Sequence, residues 1–176
     1  AYHSKADIPR VLARTPLRRV SYGATLGPHP RLLDALGRRL AETLPISGPR
    51  AHRDPARTAV VLAAAGSSDP EANATIAQMA AQWQARTGWL AVRPAYASAA
   101  EPSPAAAVAG LLRDGAPRVV VATYLLAPGL FADRIRHTAL AAGAAAVSPA
   151  LGACAEVADV MLDRFAQARS TRRSAA

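Results

Sequence analysis

The chain has 176 residues, 51% of them apolar, which is enough for one ordinary domain with a buried core. Its one cysteine, Cys154, excludes an internal disulfide and a cysteine-built zinc site, and suits a reducing compartment. The net charge of +9 could steer a polyanion, but most of the arginines read as solvated helix residues, and no nucleic-acid motif or base-stacking aromatic set accompanies them.

From residue 58 onward, strand and helix patterns alternate. Residues 58–65 form a short apolar run and predict a buried strand. Asp69 caps the next helix, with Pro70 at its first position. Ala72, Ile76, Met79, Ala80 and Trp83 recur at helical spacing and give that helix one apolar face. Residues 89–97 predict a second strand. Ser103 and Pro104 open a second helix, with Val108, Leu111 and Leu112 inward and Gly115 at its end. Residues 118–126 predict a third strand, β-branched at Val119, Val120 and Val121. Pro128-Gly129 turns into a helix that runs to about residue 142. Residues 145–150 predict a short fourth strand. A last helix from about residue 155 is expected to bury Val157, Val160, Met161 and Phe165. Strands separated by helices predict an α/β fold with a parallel sheet.

No membrane span is expected. The longest uncharged run, residues 138–155, is alanine broken by Gly143, Pro149 and Gly152, too weakly apolar to insert. His3, Lys5, Asp7 and Pro9 interrupt any apolar leader. The expected location is the cytoplasm.

The N-terminal segment repeats the end of this unit. TLGPHPRLLDALGRRLAE, from Thr25, aligns with ALGACAEVADVMLDRFAQ, from Ala150. Leu26-Gly27 matches Leu151-Gly152. Leu32, Leu36 and Leu40 match Val157, Met161 and Phe165, and Arg39 matches Arg164. Upstream, AYHSKADIPRVLA matches GLFADRIRHTALA as a loop entering a helix. The chain therefore reads as helix, strand, helix, then a linker, then a full unit of four strands and four helices. Residues 1–46 are the end of a first unit, 47–56 the linker, 57–170 a complete second unit and 171–176 a basic tail. The first unit lacks its first three strands, so it has too little sheet to fold alone. The expected fold is a parallel four-stranded sheet flanked by helices in flavodoxin- or Rossmann-like layers, plus the C-terminal part of a preceding repeat of the same unit.

The fragments AYHSKADIP, GSSDPEAN, YASAAEPSPAAAV and VVVATYLLAPG occur in this order across nearly the whole chain. With the repeat, they resemble the sirohydrochlorin chelatases that insert cobalt or iron, in the form with two halves fused in one chain. In that family the first strand of the active half ends in a Gly-His-Gly-Ser-type turn. A second histidine follows the third strand, ahead of a Lys/Arg-Asp-Ile-Pro helix start. The resemblance implies that His3, in YHSKADIP, is the metal-facing and catalytic imidazole. In the complete unit the first motif falls on AAGSSDP, with Ala65 in the histidine's place. The second falls on PGLFADRI, with Leu130 or Phe131 there. Neither imidazole is present in that unit, so its crevice is inherited architecture whose chemistry lies in the other half.

The resemblance implies a lyase-class chelatase that takes Co²⁺ or Fe²⁺ as a substrate and needs no nucleotide. No Gly-x-x-x-x-Gly-Lys or Gly-x-Gly-x-x-Gly signature is present. The other substrate is a tetrapyrrole polycarboxylate, for siroheme or cobalamin synthesis. Lys5 could hold one carboxylate as a charge-assisted pair. Ser67 and Ser68 could offer donors to another at a helix N-terminus, or could cap that helix. Glu101 follows a strand end, and the resemblance places a glutamate of an EP dipeptide near the site; an acid is also favoured at a helix start by the helix dipole. His29 reads as a turn residue before Pro30, His52 as a linker residue and His137 as a surface residue. Tyr96 and Tyr124 read as core packing. The alternative is a degenerate chelatase-like module that binds tetrapyrrole or metal, or supports a partner, without turnover. No membrane or nucleic-acid partner is expected, and the edge left by three missing strands favours self-association into a homo-oligomer.

Overall fold

The computed structural model describes residues 7–14, 23–44 and 54–174, with side chains through residue 170. Two helices, α1 (Ile8–Ala13) and α2 (Pro30–Thr43), precede a unit that runs β1 (Ala59–Ala64), α3 (Pro70–Thr87), β2 (Ala91–Tyr96), α4 (Pro104–Arg113), β3 (Val119–Tyr124), α5 (Leu130–Ala141), β4 (Ala146–Val147) and α6 (Ala155–Ser174). The sheet is parallel, in the order β2-β1-β3-β4. The α/β class read from the sequence is therefore the observed one.

Every residue of β1 is buried, as a central strand covered on both faces requires. Its side chains alternate between two cores. Val60 and Leu62 join Val92, Val120 and Ala122 under α2, α3 and the start of α6. Ala59, Val61 and Ala63 join Val119 and Val121 under α4 and α5. Three helix starts follow their local signals. Asp69, Ser103 and His29 are N-caps that accept from Glu71 N, Ala106 N and Arg31 N, each followed by proline.

β2 is an edge strand, and its outer N–H row is occupied. Val92 N donates to Gln84 Oε1 at 2.9 Å, Tyr96 N donates to Pro102 O at 2.9 Å, and Pro94 between them has no N–H.

Three expectations are corrected. β4 pairs over two residues rather than six. Ser148 N still donates to Val121 O at 2.8 Å, but Thr123 N then donates to Ser148 Oγ at 3.0 Å, Thr123 Oγ1 donates to Ser148 O at 2.7 Å, and Pro149 has no N–H to offer. Leu112 is 37% exposed, while Val108 and Leu111 of the same helix are buried. Met161 and Phe165 are 55% and 60% exposed, although Val157 and Val160 are buried.

α2 belongs to the N-terminal segment, yet it lies on this sheet, over β3 and β4. Leu36 and Leu40 have no exposed surface. α2 also packs antiparallel to α6, with Arg31 2.9 Å from Asp159 and Arg38 bonded to both oxygens of Glu156 at 2.9 and 2.8 Å. The contact is reciprocal. Arg39 Nε and Nη2 donate to Leu151 O, in the loop before α6, at 2.9 and 2.7 Å. Arg164 Nε donates to Thr25 O, in the loop before α2, at 2.8 Å, and its Nη2 reaches Leu26 O at 3.4 Å. Arg39 and Arg164 align in the sequence comparison of the two segments, as do Leu26 and Leu151. Each helix thus grips a carbonyl in the loop ahead of the other.

Candidate functional site

β1 connects to β2 on one side and β3 lies on the other, so the strand order reverses between β1 and β3. The crevice beyond the carboxyl ends of these two strands is where an open α/β sheet takes a ligand. Three loops line it: β1 to α3, β2 to α4, and β3 to α5.

The β1–α3 turn is fixed from several sides. Ala65 O accepts from Ser98 N at 2.9 Å and Ser98 Oγ at 3.1 Å. Gly66 has φ +85°, and a Cβ there would overlap Ser98 O, so only glycine fits. Asn73 brackets Ser67: Ser67 N donates to Asn73 Oδ1 at 3.1 Å, and Asn73 Nδ2 donates to Ser67 O at 2.7 Å. Tyr96 OH, whose pKa burial raises, donates to Asn73 O at 2.8 Å. Ser67 Oγ accepts from Asp69 N at 3.1 Å, so this hydroxyl shapes the turn ahead of the cap. Ser68 is exposed.

On the next loop, Glu101 is exposed and its Oε2 accepts from Ser103 N at 2.8 Å. Its carboxylate thus supports the start of α4. The third loop carries no polar chemistry. Leu126, Leu130 and Phe131 are 49%, 89% and 45% exposed and form an apolar lip where the sequence comparison would place a histidine. At the end of β3, Tyr124 lies beneath the loop before α2, where a Cβ on Gly27 would overlap its hydroxyl. Burial pushes the Tyr124 phenol up to about 12. This contact brings the N-terminal segment to the rim of the crevice.

The remaining histidines are elsewhere. His29 caps α2, its Nδ1 accepting from Arg31 N at 3.3 Å, and Nε2 is 4.0 Å from Asp163. His137 is exposed on α5. His3, Lys5 and His52 lie outside the described residues. Among the described residues, no three His, Cys, Asp or Glu side chains converge as a metal site would need, and no helix is long and apolar enough to cross a membrane. The crevice carries the apolar lip, and the described residues supply it with no imidazole.

A family model described as CbiX matches residues 59–168. The chain belongs to the CbiX family. The CbiX match spans the whole sheet, from β1 into α6, and includes all three crevice loops. Over 141 residues, 78% of this chain, it is 29% identical to the sirohydrochlorin cobaltochelatase of Priestia megaterium and 30% identical to the sirohydrochlorin ferrochelatase of the same organism. It covers 45% and 50% of these proteins, so the chain spans about half the length of the curated relatives it matches. The solved structure of SirB from Bacillus subtilis with Fe³⁺ superposes with a TM-score of 0.79 at 25% identity, over 99% of this chain and 69% of SirB.

Asn73 was not singled out from the sequence, and Leu130 and Phe131 were named there only as standing in a histidine's place, not as part of an apolar lip. Asn73 acts through a loop six residues back, and the lip is visible only once the strand order places it at the switch point. Arg39 and Arg164 did carry a signal, because the same charged residue recurs at one position of both repeats.

Proposed function

We propose that this chain is the C-terminal part of a two-half sirohydrochlorin chelatase, a cytoplasmic lyase that inserts cobalt or ferrous iron into the tetrapyrrole without a nucleotide. Residues 1–46 close the active half, 47–56 link the halves, 57–170 form the second half and 171–176 are a basic tail. The observation that carries the reading is the CbiX match across a sheet whose own crevice has an apolar lip and no imidazole among the described residues. Such a half serves as a wall, and the chemistry falls to His3.

Insertion exchanges two pyrrole protons for one divalent ion. Neutral imidazole suits Co²⁺ and Fe²⁺ and can accept a proton near neutral pH. His3 delivers the metal or takes a proton, with water or substrate completing the coordination. The macrocycle face lies against Leu126, Leu130 and Phe131. Its carboxylates meet Lys5, the Ser67-Ser68 turn at the N-terminus of α3 and the general positive charge. Glu101 stands at the rim beside the start of α4.

The absence of converging donors among the described residues also favours a second reading, a binding module without turnover. One assay separates the two. Sirohydrochlorin is mixed with Co²⁺ and the metallated absorbance is followed with this chain, its His3→Ala variant and the polypeptide its gene encodes. Acceleration that falls at least about tenfold in His3→Ala supports the chelatase. Folded protein that never exceeds the uncatalysed rate supports the binding module.

A further inference from the structure

The last residues of the three long strands stand in one row. Ala64 pairs with Tyr96 on one side and with Tyr124 on the other. Parallel pairing puts the three side chains on the same face of the sheet, the face under α2 and α3. The two tyrosines therefore flank the end of β1 at the switch point, but their hydroxyls differ. Tyr96 OH donates to Asn73 O at 2.8 Å. Among the described residues, Tyr124 OH has no hydrogen-bond partner.

A buried phenol ordinarily finds a partner. The loop before α2 explains why none is at hand. A Cβ on Gly27 would overlap the Tyr124 hydroxyl, so the phenol reaches this loop directly. Yet each carbonyl from Thr25 to Pro28 is already engaged. Thr25 O accepts from Arg164 Nε at 2.8 Å, Leu26 O and Pro28 O accept from Arg164 Nη2 at 3.4 and 3.3 Å, and Gly27 O accepts from Thr25 Oγ1 at 2.7 Å. Gly27 has no positive φ, so it is the room taken by the phenol that asks for glycine there. The ring packs against the core together with Leu26, and its tip carries a donor that the fold does not use. Burial keeps that phenol protonated, at about 12, so it is a donor across the neutral range.

We propose that Tyr124 OH donates a hydrogen bond to a carboxylate oxygen of the tetrapyrrole, at the rim where the end of β3 meets the loop before α2. The identity of the ligand rests on the proposed function; the unmet donor does not. A carboxylate suits the place, because a bond to an ionised acceptor is the stronger kind and Arg164, bound to the same loop, adds positive charge nearby. Tyr124 then binds the substrate's periphery and takes no part in moving the metal or the pyrrole protons.

The test compares the natural chain with Tyr124→Phe, which keeps the ring and removes the hydroxyl. Without ligand, the thermal midpoint of Tyr124→Phe should equal or exceed that of the natural chain, because no bond within the fold is lost. Sirohydrochlorin is then titrated without metal and binding is followed by absorbance. The natural chain should bind, and Kd should rise about tenfold or more in Tyr124→Phe, as for a hydrogen bond to a charged group. With the methyl ester of the same macrocycle, which has no ionised carboxylates, the two chains should differ less. A lowered midpoint without ligand would reveal a partner inside the fold and overturn the proposal. An undiminished difference with the ester overturns it too, by removing the carboxylate as acceptor. Equal Kd values for sirohydrochlorin overturn it while leaving the proposed function standing, and assign the phenol to water. No binding by the natural chain overturns both.

Discussion

α2 and α6 align with each other in sequence and have opposite fates. Both begin after a leucine-glycine loop, both carry an arginine that grips the other's loop, and both repeat apolar residues at the same spacing. α2 buries Leu36 and Leu40 completely, whereas α6 leaves Met161 and Phe165 more than half exposed. An amphipathic pattern states what a helix can bury. Whether it does so depends on a sheet that the helix itself does not encode.

The largest expected effect tests that contrast directly. Leu36→Ala should cost about 2–5 kcal/mol, because a fully buried side chain leaves both lost transfer energy and a cavity. Met161→Ala, at the same repeat position, should cost less than about 1 kcal/mol. Urea denaturation of both variants measures the gap, and equal losses would break the comparison.

A smaller difference is expected between the two arginines. Leu151 is 1% exposed, so its carbonyl has little access to water once Arg39 is removed. Arg39→Ala should therefore cost about 1.5–3 kcal/mol, as for hydrogen bonds to a charged group. Thr25 is exposed and water can replace Arg164, so Arg164→Ala should cost about 0.5–1.5 kcal/mol. The reverse order of the two midpoints would place the tighter grip on α6.

The smallest effect is electrostatic. Hydrogen bonds from Arg38 hold the Glu156 carboxyl at about 2, below its usual 4.5. A depressed folded value stabilises above the unfolded one, so the contribution is present above about pH 4.5 and is lost as pH falls toward 2. The thermal midpoint should drop less between pH 6 and pH 3 in Glu156→Gln than in the natural protein. Added salt should shrink the difference, because the pair is partly solvated. An unchanged acid slope would remove Glu156 from the contact between the two helices.

Features set by neighbours in sequence were legible before the structure. The apolar run of β1, the Asp69-Pro70, Ser103-Pro104 and His29-Pro30 helix starts, and the recurrence of Arg39 and Arg164 all depend on residues close together or on spacing alone. Features that need a distant partner were not. The Ser148 hydroxyl cuts β4 short by taking the N–H of Thr123 across the ladder, and Pro149 has no N–H to continue it. Met161 and Phe165 looked buried because their spacing says nothing of the sheet beyond. The silence of the turn after β1 was legible as missing histidine. Its rigidity was not, because that depends on Ser98, Asn73 and Tyr96 meeting from three elements.

The outer row of β2 has a consequence for growth. A fibre extends by adding strands to an edge whose N–H and C=O groups are vacant. On β2, each outward N–H is either occupied, by Gln84 or by Pro102, or absent, at Pro94. On the far side β4 offers only two paired residues. Among the described residues, an incoming strand finds little register to copy at either side of the sheet, so concentrated solutions of this chain should resist cross-β filament growth.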